Sequence, residues 1–182
     1  FGDFLEPLGE TTEAELEAMF REQVAALTAG GADAILVETM TAVEELTTAV
    51  RAAKAVGPGP VLASFAFDRA GGEFRTMMGA TVTDALQAAA QAGADVLGAN
   101  CGSALTLDDY RELAAALVDA AGDRPVMLEP NAGSPELVDG ESRYPAGPED
   151  MAALVPELLE IGVRIIGGCC GTRPDHLHAM AR

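Results

Sequence analysis

Three cysteines occur in this chain, Cys101, Cys169 and Cys170, and two of them are adjacent within Gly167-Gly168-Cys169-Cys170-Gly171-Thr172. Neighbouring side chains of a strand point to opposite faces, so adjacent cysteines cannot serve one ligand from inside a strand. Where a strand ends, flanking glycines let the backbone turn and bring both sulfurs together. Thr172-Arg173-Pro174-Asp175 follows and reads as a helix start, with Thr172 as N-cap and Pro174 in the first turn. The positive end of that helix favours thiolate over thiol. The pair therefore reads as a site in preference to inert packing or a strained vicinal disulfide.

Cys101 stands 68 residues before Cys169. Three thiolates without a local fourth ligand describe a zinc site with one open position, the catalytic kind, since structural sites are closed by a fourth protein ligand. The only two histidines, His176 and His178, fall in the last helix and read as helix-surface residues. Glu38 closes an apolar run and is a candidate functional carboxylate. Asn131, in Pro130-Asn131-Ala132-Gly133, is either a site residue or a turn residue.

Elements must bring these residues to one place. Residues 1–10 have loop chemistry; Thr12 with Glu15 forms a capping box for a helix to about Ala29, which Gly30-Gly31 stops. An apolar strand over 34–38 follows, then a helix over 43–56, a Gly/Pro turn and a strand over 61–67. Residues 68–79 read as a glycine-containing loop. A helix over 83–92, a strand over 95–99, a helix over 107–121 and a strand over 126–129 come next. A long loop reaches Pro148 and a helix runs over 149–161, with Pro156 predicting a kink or a late start. A strand over 163–166 leads to the cysteine pair and the last helix.

These are five strand-then-helix units of about thirty residues, with short, wholly apolar strands, the pattern of a parallel sheet covered by helices. Gly31-Ala32-Asp33-Ala34-Ile35-Leu36 is echoed by Gly93-Ala94-Asp95-Val96-Leu97-Gly98 and by Gly162-Val163-Arg164-Ile165-Ile166-Gly167. Glu38, Asn100 with Cys101, Asn131, and Cys169 with Cys170 all sit at carboxyl ends of strands, which share one face in parallel α/β folds. No GxGxxG opens a helix, which favours a barrel over an open dinucleotide-binding sheet. Five units are three short of eight. Residues 1–182 are thus expected to be one partial (β/α)8 domain whose first strands precede Phe1.

Composition narrows the function classes. The chain is 49% hydrophobic and 22% charged, with a formal charge of −18 and no Lys/Arg-rich run, so nucleic acid and anionic membrane surfaces are poor partners. Unpaired cysteines fit a reducing, cytoplasmic setting.

Gly98-Ala99-Asn100-Cys101 and Gly167-Gly168-Cys169-Cys170-Gly171-Thr172 resemble the two zinc-cysteine motifs of the homocysteine S-methyltransferase family. Asp3-Phe4-Leu5-Glu6-Pro7-Leu8-Gly9, Val37-Glu38-Thr39 and Glu129-Pro130-Asn131-Ala132-Gly133 extend the likeness, most closely to the homocysteine domain of cobalamin-dependent methionine synthase. The resemblance implies a (β/α)8 barrel, zinc on Cys101, Cys169 and Cys170, and Glu38 at the amino-acid end of homocysteine. It implies that Asn131 holds zinc's fourth position until substrate displaces it. It also implies methyl transfer to a zinc-activated homocysteine thiolate, giving methionine, with methylcobalamin as donor on another domain or subunit and folate-binding domains as further partners. Thr39 stands where the betaine-using branch has Tyr. S-methylmethionine or betaine as donor, an inactive zinc-binding module and a thiol redox protein are the alternatives.

Overall fold

A computed structural model describes residues 5–57 and 59–182; Asp3 and Phe4 of the resembling N-terminal motif, and Pro58 of the Gly/Pro turn, lie outside them. In chain order the elements are α1 (Glu13–Ala29), β1 (Ile35–Met40), α2 (Val43–Val56), β2 (Val61–Phe65), β3 (Phe67–Ala70), β4 (Glu73–Thr76), α3 (Val82–Ala92) and β5 (Val96–Asn100). They continue with α4 (Leu107–Ala121), β6 (Val126–Glu129), β7 (Glu136–Val138), β8 (Glu141–Arg143), α5 (Pro148–Ile161), β9 (Ile165–Ile166) and α6 (Pro174–Met180).

Strands β1, β2, β5, β6 and β9 pair in that order in a wholly parallel sheet. The order never reverses, so the sheet has no topological switch point of the open, doubly wound kind. Its pleat decides what goes where. Ile35, Val37, Val61, Ala63, Phe65, Leu97, Ala99, Val126 and Leu128, every second strand residue, enter one apolar cluster with the inward faces of α2 to α5. Each large side chain buried there contributes about 1.5–3 kcal/mol. The alternate residues stay outside that cluster, in two register rows, Leu36–Leu62–Val96 and Gly98–Met127–Ile165. Helices thus cover one face only. The other face carries Glu38, Ser64, Asn100 and Glu129 towards its carboxyl edge, with Ser64 paired to Gly98 and Asn100 to Glu129.

Local signals set the element ends as read from the sequence. Thr12 and Glu15 form the expected capping box, and Thr106 with Asp109 forms another at α4. Four expectations change. The loop over 68–79 contains the β3–β4 hairpin, and the long loop before Pro148 contains β7–β8. Gly71-Gly72 and Asp139-Gly140 take positive φ at both turn residues, the conformation that two-residue hairpins require. Helix α5 starts at Pro148 and runs through Pro156. Helix α6 begins at Pro174 with Arg173, not Thr172, as N-cap.

Candidate metal centre and substrate face

Strand β5 ends at Asn100, and the chain turns at once. Cys101 takes φ 59° and Gly102 φ 114°, which swings the Cys101 sulfur away from the strand direction. A Cβ on Gly102 would lie 2.8 Å from the Leu105 side chain, so the turn needs glycine twice over. After β9, the turn that carries Cys169 and Cys170 is stitched to the neighbouring loop, with Cys169 N–H donating to Pro130 O (2.8 Å) and Ala132 N–H to Cys170 O (2.9 Å). Gly171, at φ 79°, leaves room for the Tyr144 ring, which a Cβ would meet at 2.3 Å.

The two turns bring the three sulfurs together. Cys101 Sγ lies 3.9 Å from Cys170 Sγ, Cys170 Sγ lies 4.0 Å from Cys169 Sγ, and all three fall within 4.8 Å of one another. Zinc–sulfur bonds of about 2.3 Å at tetrahedral angles place sulfurs roughly 3.8 Å apart. The donor set and its spacing therefore fit zinc. Among the described residues this is the one such group of His, Cys, Asp or Glu side chains. All three cysteines are free thiols, with Cys170 the most open to solvent.

Burial acts on two of the three thiols. Desolvation pushes Cys169 up to about 12 against a hydrogen bond from Asn100, and it raises Cys101 as well. Helix α6 spans seven residues, Pro174–Met180, and begins beyond Cys170. His176 departs from expectation. It is buried, with Nδ1 near Asp175 Oδ1 (3.1 Å) and Nε2 near Ala146 O (3.1 Å), so it fastens α6 to the loop before α5. His178 is exposed as expected.

Asn131 is buried between the two cysteine turns. Its Nδ2 donates to Gly102 O (2.8 Å) and its Oδ1 accepts from Cys170 N–H (3.0 Å). Tyr110, fully buried on α4, donates its hydroxyl proton to Cys101 O (2.6 Å) and accepts from Asn131 N–H (3.1 Å). Glu38 is exposed at the end of β1, where its Oε1 accepts from Asn100 Nδ2 (3.3 Å). Glu129 is half-buried, with Oε2 buried and unbonded, and burial followed by the charge of Glu38 raises its pKa. Sequence reasoning left Asn100, Ser64, Tyr110 and Glu129 without a role. Asn100 was signalled by its place beside Cys101; Tyr110 gave no signal, because its helix position says nothing of what its hydroxyl reaches.

The profile of the homocysteine S-methyltransferase family matches residues 1–182. The chain belongs to this family. It is 35% identical over 188 aligned residues to methionine synthase of Mycobacterium tuberculosis, covering 99% of this chain and 15% of that protein. It is 29% identical to an S-methylmethionine–homocysteine S-methyltransferase of Rattus norvegicus, covering 93% of this chain and 49% of that protein. The chain thus spans about half or less of the curated relatives it matches. In fold it is similar to the homocysteine methyltransferase MmuM from Escherichia coli, at TM-score 0.68 and 24% identity, covering 94% of this chain and 57% of the other. The metallated form of that protein superposes at TM-score 0.67. The α/β fold with its parallel sheet is therefore similar to that of a homocysteine methyltransferase. No helix among the described residues is long and apolar enough to cross a membrane.

Proposed function

We propose that this chain forms the zinc-holding, homocysteine-binding face of a homocysteine S-methyltransferase, which transfers a methyl group to homocysteine to give methionine. The observation that carries this reading is the sulfur triangle at tetrahedral spacing, reached through one side chain, Asn100, from the carboxylate of Glu38. In this reading Cys101, Cys169 and Cys170 hold the metal and Glu38 takes the substrate ammonium. Zinc supplies the Lewis acidity that keeps a coordinating thiol deprotonated at neutral pH.

The chain's own residues do the rest. Tyr110 and Asn131 lock the two cysteine turns to each other, so the donors are set before any ligand arrives. Asn131 Oδ1 keeps a second lone pair beyond its bond to Cys170, which the role of a displaceable fourth partner requires. Tyr144 lies against Gly171, beside the cysteine pair. The five-stranded parallel sheet corresponds to five of the eight units of a (β/α)8 barrel. Methylcobalamin, carried on another domain or subunit with a folate-binding partner, is the favoured donor, because likeness to methionine synthase exceeds likeness to the S-methylmethionine enzyme (35% against 29%). Three free thiols suit a reducing cytoplasm.

Metal analysis of protein purified under reducing conditions, followed by calorimetric titration with L-homocysteine, tests the reading. One zinc per chain is expected, with a proton released as homocysteine binds. Glu38→Gln should weaken homocysteine binding roughly 10- to 100-fold, the range of a charge-assisted contact, without loss of zinc. Cys169→Ser should lose the zinc itself. Zinc without any response to homocysteine would leave only an inactive metal-binding module.

A further inference from the structure

Asn100 is 1% exposed and sits where the two halves of the candidate site meet. Its Oδ1 accepts from the backbone N–H of Thr39 (2.9 Å) and from the Ser64 hydroxyl (2.6 Å). A backbone N–H can only donate, so the amide orientation is fixed. Nδ2 must then be the atom facing Thr39 Oγ1 (2.6 Å), Glu38 Oε1 (3.3 Å) and Cys169 Sγ (3.6 Å). An amide nitrogen carries two hydrogens, and here it has three acceptors. The shortest contact takes one of them. The other lies between a carboxylate and a sulfur.

We propose that Asn100 is a positioning residue that links the amino-acid end of the site to the metal end, by sharing one N–H between Glu38 and Cys169. The inference rests on the reading above, in which Cys169 is a metal ligand and Glu38 binds an ammonium. When an ammonium occupies the Glu38 carboxylate, that oxygen becomes a poorer acceptor and the N–H turns to the sulfur. An N–H···S bond stabilises the sulfur lone pairs and makes Cys169 a weaker electron donor to its metal. The same side chain also fixes the direction of Glu38. Thr39 is β-branched yet sits at φ 59°, a strained conformation for such a residue, and Asn100 grips it at both its N–H and its hydroxyl.

Cobalt(II) in place of zinc gives a sulfur-to-metal charge-transfer band whose energy reports the donor strength of the thiolates. Asn100→Ala should move this band to lower energy and weaken zinc retention against a chelator about 10- to 100-fold, the usual effect of losing an outer-shell partner. Glu38→Gln should move the band the opposite way, because the N–H is released to Cys169. In the double variant the Glu38→Gln shift should vanish; its persistence would mean a plain charge effect and would overturn the proposal. Ser64→Ala, which loses a bond to the same amide but leaves Nδ2 in place, should lower stability without moving the band. Should Asn100→Ala not fold, Glu38→Gln at its exposed position still decides, and an unmoved band overturns the proposal. A wild-type protein that takes up cobalt without a sulfur charge-transfer band would instead sink the metal-site reading on which the proposal stands.

Discussion

Single residues set this site through what they leave out as much as through what they supply. Gly98, in the run that leads to Asn100 and Cys101, has a neighbouring strand where its side chain would be: a Cβ would lie 2.1 Å from Met127 O. The obstacle is backbone, which cannot swing aside. Gly98→Ala should therefore destabilise the protein by about 2–3 kcal/mol or more, as overpacking does, and reduce metal retention because β5 is the strand that delivers Cys101. Gly31 makes the contrast. Its φ is 94°, but nothing lies within 4 Å of an added Cβ, so Gly31→Ala should cost about 1 kcal/mol of backbone strain alone. Urea denaturation of the two variants separates the cases, and equal costs would refute the packing argument. In the sequence Gly31 opens one repeat and Gly98 closes another; only three-dimensional register shows that the second lies on a strand that must pass close to its neighbour.

Elements were legible where one rule governed them. Apolar runs after glycine stops marked all five sheet strands, and the Thr12–Glu15 capping box marked α1, because local chemistry and burial agree there. The hairpins β3–β4 and β7–β8 were missed although Gly71-Gly72 and Asp139-Gly140 are hairpin turns by composition; their flanking residues are too polar and short to read as strands. His176 was misjudged because a seven-residue helix has too few positions to show which face is buried. The joints between elements are likewise invisible until the fold is known. Asp95, one residue before β5, accepts from Val61 N–H at the start of β2 (2.7 Å) and pairs with Lys54 on α2 (3.0 Å). The backbone bond first, and Lys54 next, hold its carboxyl below the ordinary range. A depressed pKa gives stability that is present above the unfolded value and lost as pH falls through the folded one. Asp95→Ala should thus lower stability at pH 7 by about 1 kcal/mol, a small value because the pair is partly exposed and screened. The difference from wild type should close below roughly pH 3.8 in chemical denaturation series. A difference that persists at pH 2 would show that shape, not charge, holds the joint.

At the scale of the whole molecule, the decisive feature is a sheet covered on one face only. Met127, central on the uncovered face, is 1% exposed, whereas Leu36 on β1 and Ile165 on β9 are 39% and 38% exposed. Among the described residues β1 pairs only with β2 and β9 only with β6, so each outer strand offers a row of backbone groups that no described strand pairs. Exposed parallel edges bearing apolar side chains are templates for further strands. If the sheet is part of a barrel, those edges should capture further strands, including those of a second copy of the chain. Sedimentation of the 182-residue chain should then show self-association that grows with concentration. A formal charge of −18 opposes that association, so raising salt from about 0.05 to 0.5 M should strengthen it by screening. Hydrogen exchange locates the contact, with amides of β1 and β9 gaining protection on association while those of β5 stay protected throughout. A monomer that melts cooperatively at every salt concentration, with β1 and β9 as slow to exchange as β5, would refute the partial-barrel reading.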